Sequence, residues 1–225
     1  IDENEEFVKN ITSVTYYDKI GRIVQTSSQN HMDESISYNS NILDFIGRST
    51  STKLSSLDLD IEQHHAYDNG GRLSSICQKT GTENYWEPIV RNSYNPLGEL
   101  KSKKLGCSNT NTNQEIDYGY NIRGWLLNIN NPDNLEADKD FFGMRLSYQS
   151  TSIASSTPKY NGNISEIKYA TAQFDASTYN STNYQIKSKD SFQYQFTYDN
   201  LDRILSGDLK RKAPEQTDFA DYFSL

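Results

Sequence analysis

Cysteine is scarce in this chain, proline hardly commoner, and basic residues are outnumbered: 2 Cys, 5 Pro and 22 Lys plus Arg against 30 Asp plus Glu in 225 residues. No apolar run approaches the roughly 18 residues of a membrane-spanning helix, so no membrane span is expected. Neither an initiator Met nor a charged-then-apolar leader opens the sequence, and Ile1 reads as a cut end. A net charge of −8 leaves no basic stripe to displace counterions from phosphates, which argues against nucleic acid and anionic membrane surfaces. Cys77 and Cys107 are too few for a disulfide scaffold and lack zinc-site spacing. Two readings of them stay open, one bridge between neighbouring hairpins or two separate buried thiols.

Aromatic residues, by contrast, are plentiful, with 16 Tyr, 9 Phe and 2 Trp. A mean hydropathy of −0.81 would suit a disordered chain, but disordered chains are poor in aromatics. Tyr, Ser, Thr and Asn with few prolines fit half-buried pleated strands and turns, so the expected class is all-β.

A short signature recurs, Tyr-Asp-x-x-Gly-Arg-Leu. Its clearest copies are Tyr17-Asp18-x-x-Gly21-Arg22-Ile23 and Tyr67-Asp68-x-x-Gly71-Arg72-Leu73, and Tyr198-Asp199-x-x-Asp202-Arg203-Ile204 has Asp in the glycine place. Leu43-Asp44-x-x-Gly47-Arg48, Tyr94-Asn95-x-x-Gly98-Glu99-Leu100 and Tyr120-Asn121-x-x-Gly124-Trp125-Leu126 keep the turn and change its flanks. The first positions of five copies, 17, 43, 67, 94 and 120, step by 26, 24, 27 and 26 residues.

The signature fits a β-hairpin with a three-residue loop, a type I turn closed by a left-handed residue in a G1 bulge. Asp or Asn starts such a turn by accepting a nearby backbone N–H, and glycine closes it at positive φ. Asp202 is tolerable there because Asp visits that region more readily than most residues. Counting outward, Tyr17 opposes Ile23, Tyr67 Leu73, Tyr94 Leu100, Tyr120 Leu126 and Tyr198 Ile204. On the other face Asp18 opposes Arg22, Asp44 Arg48, Asp68 Arg72 and Asp199 Arg203. Where Asp becomes Asn95 or Asn121, the opposing Arg becomes Glu99 or Trp125. Each pair is worth roughly 0.2–1 kcal/mol, so the hairpins must stack laterally to be stable. Strands of up to about 11 residues, roughly 35 Å, would form a tall curved ribbon in which the Tyr/Leu pairs make one packed face and the Asp/Arg pairs the other.

Four segments follow: an N-terminal extension over 1–13, regular hairpins over 14–126, irregular repeats with loop insertions over 127–210, and a tail over 211–225 that has lost the hairpin pattern. Within the irregular part Asn130-Asn131-Pro132-Asp133 marks a turn, and 133–142 reads as a short helix or a loop insertion. Phe141 to Leu146 reads as a strand entering Tyr148. Tyr160-Asn161-Gly162-Asn163-Ile164 is a divergent signature, and Ile164, Ile167 and Tyr169 suggest a further strand. The stretch from Ala170 to Lys189, rich in Ser, Thr and Asn, is expected to be an exposed loop.

On these residues the chain resembles the YD-repeat, or RHS-repeat, family over most of 14–210. Asp117-Tyr118-Gly119-Tyr120-Asn121-Ile122-Arg123-Gly124-Trp125-Leu126, then Asn128-Ile129-Asn130 and Lys159 to Ser165, resemble a subgroup of large secreted and cell-surface proteins of gliding, Bacteroidetes-type bacteria. The resemblance implies a continuous sheet wound into a curved, spiralling, hollow shell that often encloses a C-terminal toxin or effector. It also implies export, plausibly by the type 9 route. The Asp-Pro-x-Gly-Leu-type motif that such relatives use for shell closure and self-cleavage is not in this sequence, so proteolysis is not carried over.

Other chemistry is thin. His64 and His65 on one strand would point to opposite faces, which disfavours a shared metal. Asp58, Asp60 and Glu62, and the run Asp133, Glu136, Asp138 and Asp140, read as solvated acidic surface, with calcium the alternative for the second. A phosphate-binding Gly-rich loop and a nucleophile elbow are both missing. Neither enzymatic activity nor a cofactor is therefore expected. Asn10-Ile11-Thr12, Asn163-Ile164-Ser165 and Asn180-Ser181-Thr182 match glycosylation acceptors, a pattern frequent by chance in so Asn-rich a chain. The leading expectation is a non-catalytic segment of a secreted or surface shell, whose partners are the rest of the same polypeptide and an enclosed toxin domain. A carbohydrate-binding adhesin, with Trp86 and Trp125 as the residues that would stack on sugars, is the alternative. A cargo segment captured with a secretion machine is the third.

Overall fold

The computed structural model describes residues 11–57, 59–81, 83–107, 112–153, 155–174, 186–213 and 218–224. The strands are β1 (Ser13–Tyr17), β2 (Ile23–Gln29), β3 (Ile36–Leu43), β4 (Ser49–Ser56), β5 (Leu59–Tyr67), β6 (Leu73–Thr80), β7 (Glu87–Tyr94) and β8 (Leu100–Cys107). They continue with β9 (Thr112–Tyr120), β10 (Leu126–Ile129), β11 (Phe142–Ser147), β12 (Glu166–Phe174), β13 (Ile186–Tyr198), β14 (Ile204–Lys212) and β15 (Ala220–Ser224). One helical turn, α1 (Leu135–Asp138), interrupts them. All fifteen strands lie in one open antiparallel sheet in chain order. Neighbours in the sheet are neighbours in sequence, so every connection is a hairpin or a local excursion and no crossover is needed.

The chain divides into two compact units, 1–91 with 106–110 and 92–105 with 111–225. In the first, the buried side chains among the described residues are hydroxyls, Ser27 and Ser51. In the second, among the described residues, Leu135 of α1 (0% exposed), Pro132, Tyr148, Ala170 and Leu209 are the buried apolar side chains. This is a sparse core, and it corrects one expectation. The signature Tyr and Leu residues oppose one another but do not form a packed face: Tyr17 is 59%, Ile23 47% and Ile204 62% exposed, and the other members are half-buried. The reason is architectural, since among the described residues no second sheet packs over these pairs.

Two further expectations change. Ala170, placed in an exposed loop by composition, is wholly buried in β12, opposite Gly143 of β11 and Ser191 of β13. The period-2 pattern of Ile167 and Tyr169 continues through it, and Thr171 is itself a good strand former. Lys189 likewise lies in β13, and 175–185 fall outside the described residues. The supposed tail supplies Arg211 and Lys212 to β14 and all of β15, which pairs with β14 from Asp208↔Ser224 to Arg211↔Ala220. The turn at 130–133, the helical turn at 135–138 and the strand at 142–147 lie where the sequence places them. Cys77, in β6 opposite His64 and Pro88, is a free, half-buried thiol, which removes the disulfide from the two readings. The side chain of Cys107 falls outside the described residues.

Candidate functional site

The recurring turn is the most elaborated local structure among the described residues, and its backbone hydrogen bonds are the same at each signature copy. In the first, Asp18 N–H donates to the Arg22 carbonyl (2.8 Å) and Gly21 N–H to the Asp18 carbonyl (3.1 Å). Gly21 has φ +82°, as a type I turn with a G1 bulge requires. Asp18 Oδ1 accepts the Ile20 and Arg22 N–H groups, both at 2.9 Å, and Oδ2 accepts Arg22 Nε at 2.6 Å. Asp44 with Arg48 (Nε–Oδ2 2.7 Å), Asp68 with Arg72 (2.7 Å) and Asp199 with Arg203 (2.6 Å) repeat the arrangement. Asp202 closes the last copy at φ +61°. The Arg22 backbone N–H holds the Asp18 carboxyl below the usual range. The Arg72 side chain does the same for Asp68, and the Arg203 backbone N–H for Asp199. At Asp44 burial pushes upward, but the Arg48 hydrogen bonds outweigh it and the carboxyl again lies low.

The variant copies explain the paired change seen in the sequence. Asn95 Oδ1 accepts the Leu97 and Glu99 N–H groups at 3.0 Å, while its Nδ2 donates to Glu99 Oε2 at 2.6 Å. The cross-strand bond is conserved with its polarity reversed. Asn121 Oδ1 keeps the two backbone bonds, from Arg123 (2.9 Å) and Trp125 (3.0 Å). Gly47, Gly71, Gly98 and Gly124 all have positive φ. The expected pairs Tyr17↔Ile23, Tyr67↔Leu73, Tyr120↔Leu126 and Tyr198↔Ile204 are present in the register. For Tyr94 and Leu100, Asn95 N–H bonded to the Glu99 carbonyl (2.9 Å) closes the hairpin between them.

Three features of the row go beyond the sequence reading. First, five of the hairpins slip by one residue just past the pair: Tyr16 opposes Gln25 while Tyr17 opposes Ile23, so Val24 is unmatched. Thr50, Ser74, Leu127 and Leu205 are the corresponding extra residues, a repeated bulge that increases local twist.

Second, the tyrosine hydroxyls tie one hairpin to another. Tyr67 Oη donates to the Ser49 carbonyl (2.8 Å), Tyr148 Oη to Leu126 (3.0 Å) and Tyr198 Oη to Ile164 (2.8 Å). Each accepting carbonyl lies two residues past the turn glycine of an earlier turn, Gly47, Gly124 or Gly162. Gly162 (φ +105°) thereby identifies 160–164 as a working turn station. The sequence carried a signal for this, because the five paired aromatic positions are all Tyr in a chain with 9 Phe.

Third, Arg22, Arg48, Glu99 and Trp125, each the residue after a turn glycine, lean on the next turn. Arg22 Nη1 donates to the Asp44 carbonyl at 3.0 Å. A Cβ on Gly71 would sit 2.9 Å from Arg48 Nη1, one on Gly124 3.2 Å from Glu99 Oε1, and one on Gly162 3.2 Å from Trp125 Cζ2. Asn161 Nδ2 and Asn163 Nδ2 both donate to Asp202 Oδ1, at 2.7 and 3.0 Å.

The remaining candidates are engaged locally. The Trp86 ring stacks on His64 at 3.8 Å, and His65 Nδ1 lies 3.1 Å from the Ser49 carbonyl. Trp125 packs 5.1 Å from the Tyr148 ring with the Arg123 guanidinium 5.0 Å from its own. Trp86 and Trp125 belong to different units. Among the described residues no three metal-ligating side chains form a metal-holding group. In the acidic run, Asp133 accepts Arg145 (2.6 Å) and Lys168 (2.5 Å). Asp140, 3% exposed, accepts Gln114 Nε2 at 3.1 Å, and its carboxyl is pushed up to about 6 by burial and by Asp138 and Asp117.

No family model and no curated protein sequence matches the chain. Among solved structures, TcdB2-TccC3-Cdc42 is 14% identical with a TM-score of 0.47, covering 91% of this chain and 11% of that one. TcdB2-TccC3 is 13% identical with a TM-score of 0.48, covering 91% and 12%. A Photorhabdus luminescens Tc holotoxin pore is 12% identical with a TM-score of 0.22, covering 89% and 15%. The chain thus spans about an eighth of the length of these structures.

Proposed function

We propose that this chain is a non-catalytic wall segment of a secreted or surface-displayed YD-repeat protein, contributing hairpins to a shell that encloses or presents a C-terminal toxin or effector. One observation carries the reading: within each unit, turns are tied to one another by three Tyr Oη–carbonyl bonds and by Arg22, Arg48, Glu99 and Trp125, each the residue after a turn glycine. Such ties join hairpin to hairpin along the row of turns, while the sheet keeps a sparse core. The polar groups of the signature are consumed in holding the row together, which is the economy expected of a wall. The Asp117–Ser165 strings support a place among the exported Bacteroidetes-type proteins of that family.

The test is small-angle scattering on the longer natural polypeptide that contains these repeats, with limited proteolysis of its C-terminal region. A hollow pair-distance distribution and a C-terminal segment cut only after the repeat region is opened are expected. A solid particle of the same mass, or a C-terminal segment cut at the rate of an exposed tail, would overturn the assignment.

A further inference from the structure

A cleft of about 630 Å³ lies in the second unit, bordered on one side by Asn121 of the turn row. Leu127, Leu146 and the buried ring of Tyr148 give it apolar lining, and Asn128, Arg145 and the segment 149–152 give it polar lining. That volume falls within the roughly 300–1,000 Å³ of small-ligand sites.

The segment is held in place by an unusual investment. Glu166 is 1% exposed, and its carboxylate accepts the Ser152 N–H (2.9 Å), the Ser152 Oγ–H (2.8 Å) and the Ile153 N–H (2.8 Å). Ser165, fully buried, adds an Oγ–H bond to the Tyr148 carbonyl at 2.7 Å. A buried carboxylate is costly unless it is hydrogen-bonded in this way, and here every one of those bonds fixes one wall of the cleft. Among the described residues, the side chains of Asn128, Gln149, Ser150 and Thr151 make no hydrogen bond of their own. These are amides and hydroxyls. The one charge in the lining, Arg145, is already paired with Asp133 at 2.6 Å, so nothing recruits a phosphate or a carboxylate.

We infer that the cleft binds a neutral, polyhydroxylated ligand of disaccharide size, an uncharged glycan unit. Its C–H faces would lie on Tyr148 and Leu146, and its hydroxyls would meet Asn128, Gln149, Ser150 and Thr151. The pre-fixed wall lowers the ordering cost of binding. This inference does not rest on the shell reading, and either can fail without the other.

Saturation-transfer NMR on the chain with maltose, cellobiose, lactose and N,N′-diacetylchitobiose tests it, with a sulfated heparin disaccharide as the charged comparator. At least one neutral sugar should bind, with affinity falling on the order of tenfold or more in Ser150→Trp, which fills the cleft. Gln149→Ala, an exposed change that leaves the fold alone, should weaken the same sugar, and Trp86→Ala should not. The same sugars immobilised as glycan termini distinguish a surface glycan from a free saccharide as the source. Silence from all four neutral sugars, preference for the sulfated one, or binding that responds to Trp86→Ala and not to the cleft variants would overturn the inference.

Discussion

Three glycines with nearly the same backbone differ in what surrounds them, and that separates two reasons for a glycine. Gly21, Gly47 and Gly71 close successive turns at φ +82°, +95° and +77°. A Cβ on Gly21 meets nothing within 4 Å, one on Gly47 meets Arg22 at an ordinary 3.7 Å, and one on Gly71 meets Arg48 Nη1 at 2.9 Å. An L-residue in the left-handed region costs about 1–2 kcal/mol. Gly21→Ala and Gly47→Ala should therefore each lose about 1 kcal/mol. Gly71→Ala should lose that and also displace the Arg48 guanidinium from its seat 4.5 Å from the Tyr67 ring centroid, a further loss of roughly 0.5–1 kcal/mol. Urea unfolding read from midpoints at constant slope gives the three values. Equal losses at all three sites would show that the lateral contact is energetically empty, and a larger loss at Gly21 than at Gly71 would refute the ladder altogether.

Asp140 should behave as a pH-dependent liability. Its folded-state value of about 6 lies above the ordinary 3.8, so its contribution to stability is fully present below about pH 4, is lost as pH rises through 6, and stays lost above it. Asp140→Asn should stabilise the protein near pH 7.5 by at most about 3 kcal/mol and by little near pH 4, measured as melting temperature against pH; a gain that does not shrink with acidification would contradict the burial argument. Asn95→Asp should destabilise by about 1 kcal/mol by setting a carboxylate against Glu99, and the double change Asn95→Asp with Glu99→Arg should recover it. Additive losses in that cycle would mean that the reversed-polarity pair is not an energetic unit.

What the sequence disclosed, and what it did not, divides by distance along the chain. The Asp18–Arg22 and Asn95–Glu99 relations span four residues, so the turn chemistry, the register of Tyr67 with Leu73 and the order of the hairpins could all be counted out. The Tyr67–Ser49 and Tyr198–Ile164 ties span 18 and 34 residues and end on backbone carbonyls, which carry no side-chain identity to search for. The bulge residues Val24, Thr50, Ser74, Leu127 and Leu205 share no property that marks them. Ala170 is hidden from a reading by composition because Ser, Thr and Asn around it favour loops, whereas pairing between β11 and β13 overrides that preference. The cleft depends on Glu166 reaching Ser152 and Ile153, a bond no local pattern announces.

The lateral ties also explain why the irregular half of the chain still belongs to the same sheet. Arg48 meets Gly71 and Trp125 meets Gly162 through the same kind of contact, although the second pair is separated by 37 residues rather than 23. What must be preserved from one repeat to the next is therefore the meeting of a turn with its predecessor, not the length of chain between them. An insertion that leaves the strand, forms α1 or the 149–165 excursion, and returns with an Asn161-Gly162 turn costs little beyond loop closure, which grows only slowly with length. The row of turns then acts as a fixed frame, and the intervening chain is free to build Asp140's buried site and the cleft walled by 149–152. On this architecture the chain between turns is where new surface chemistry is easiest to build, since the Asp and Arg of the signature copies are already hydrogen-bonded within their turns.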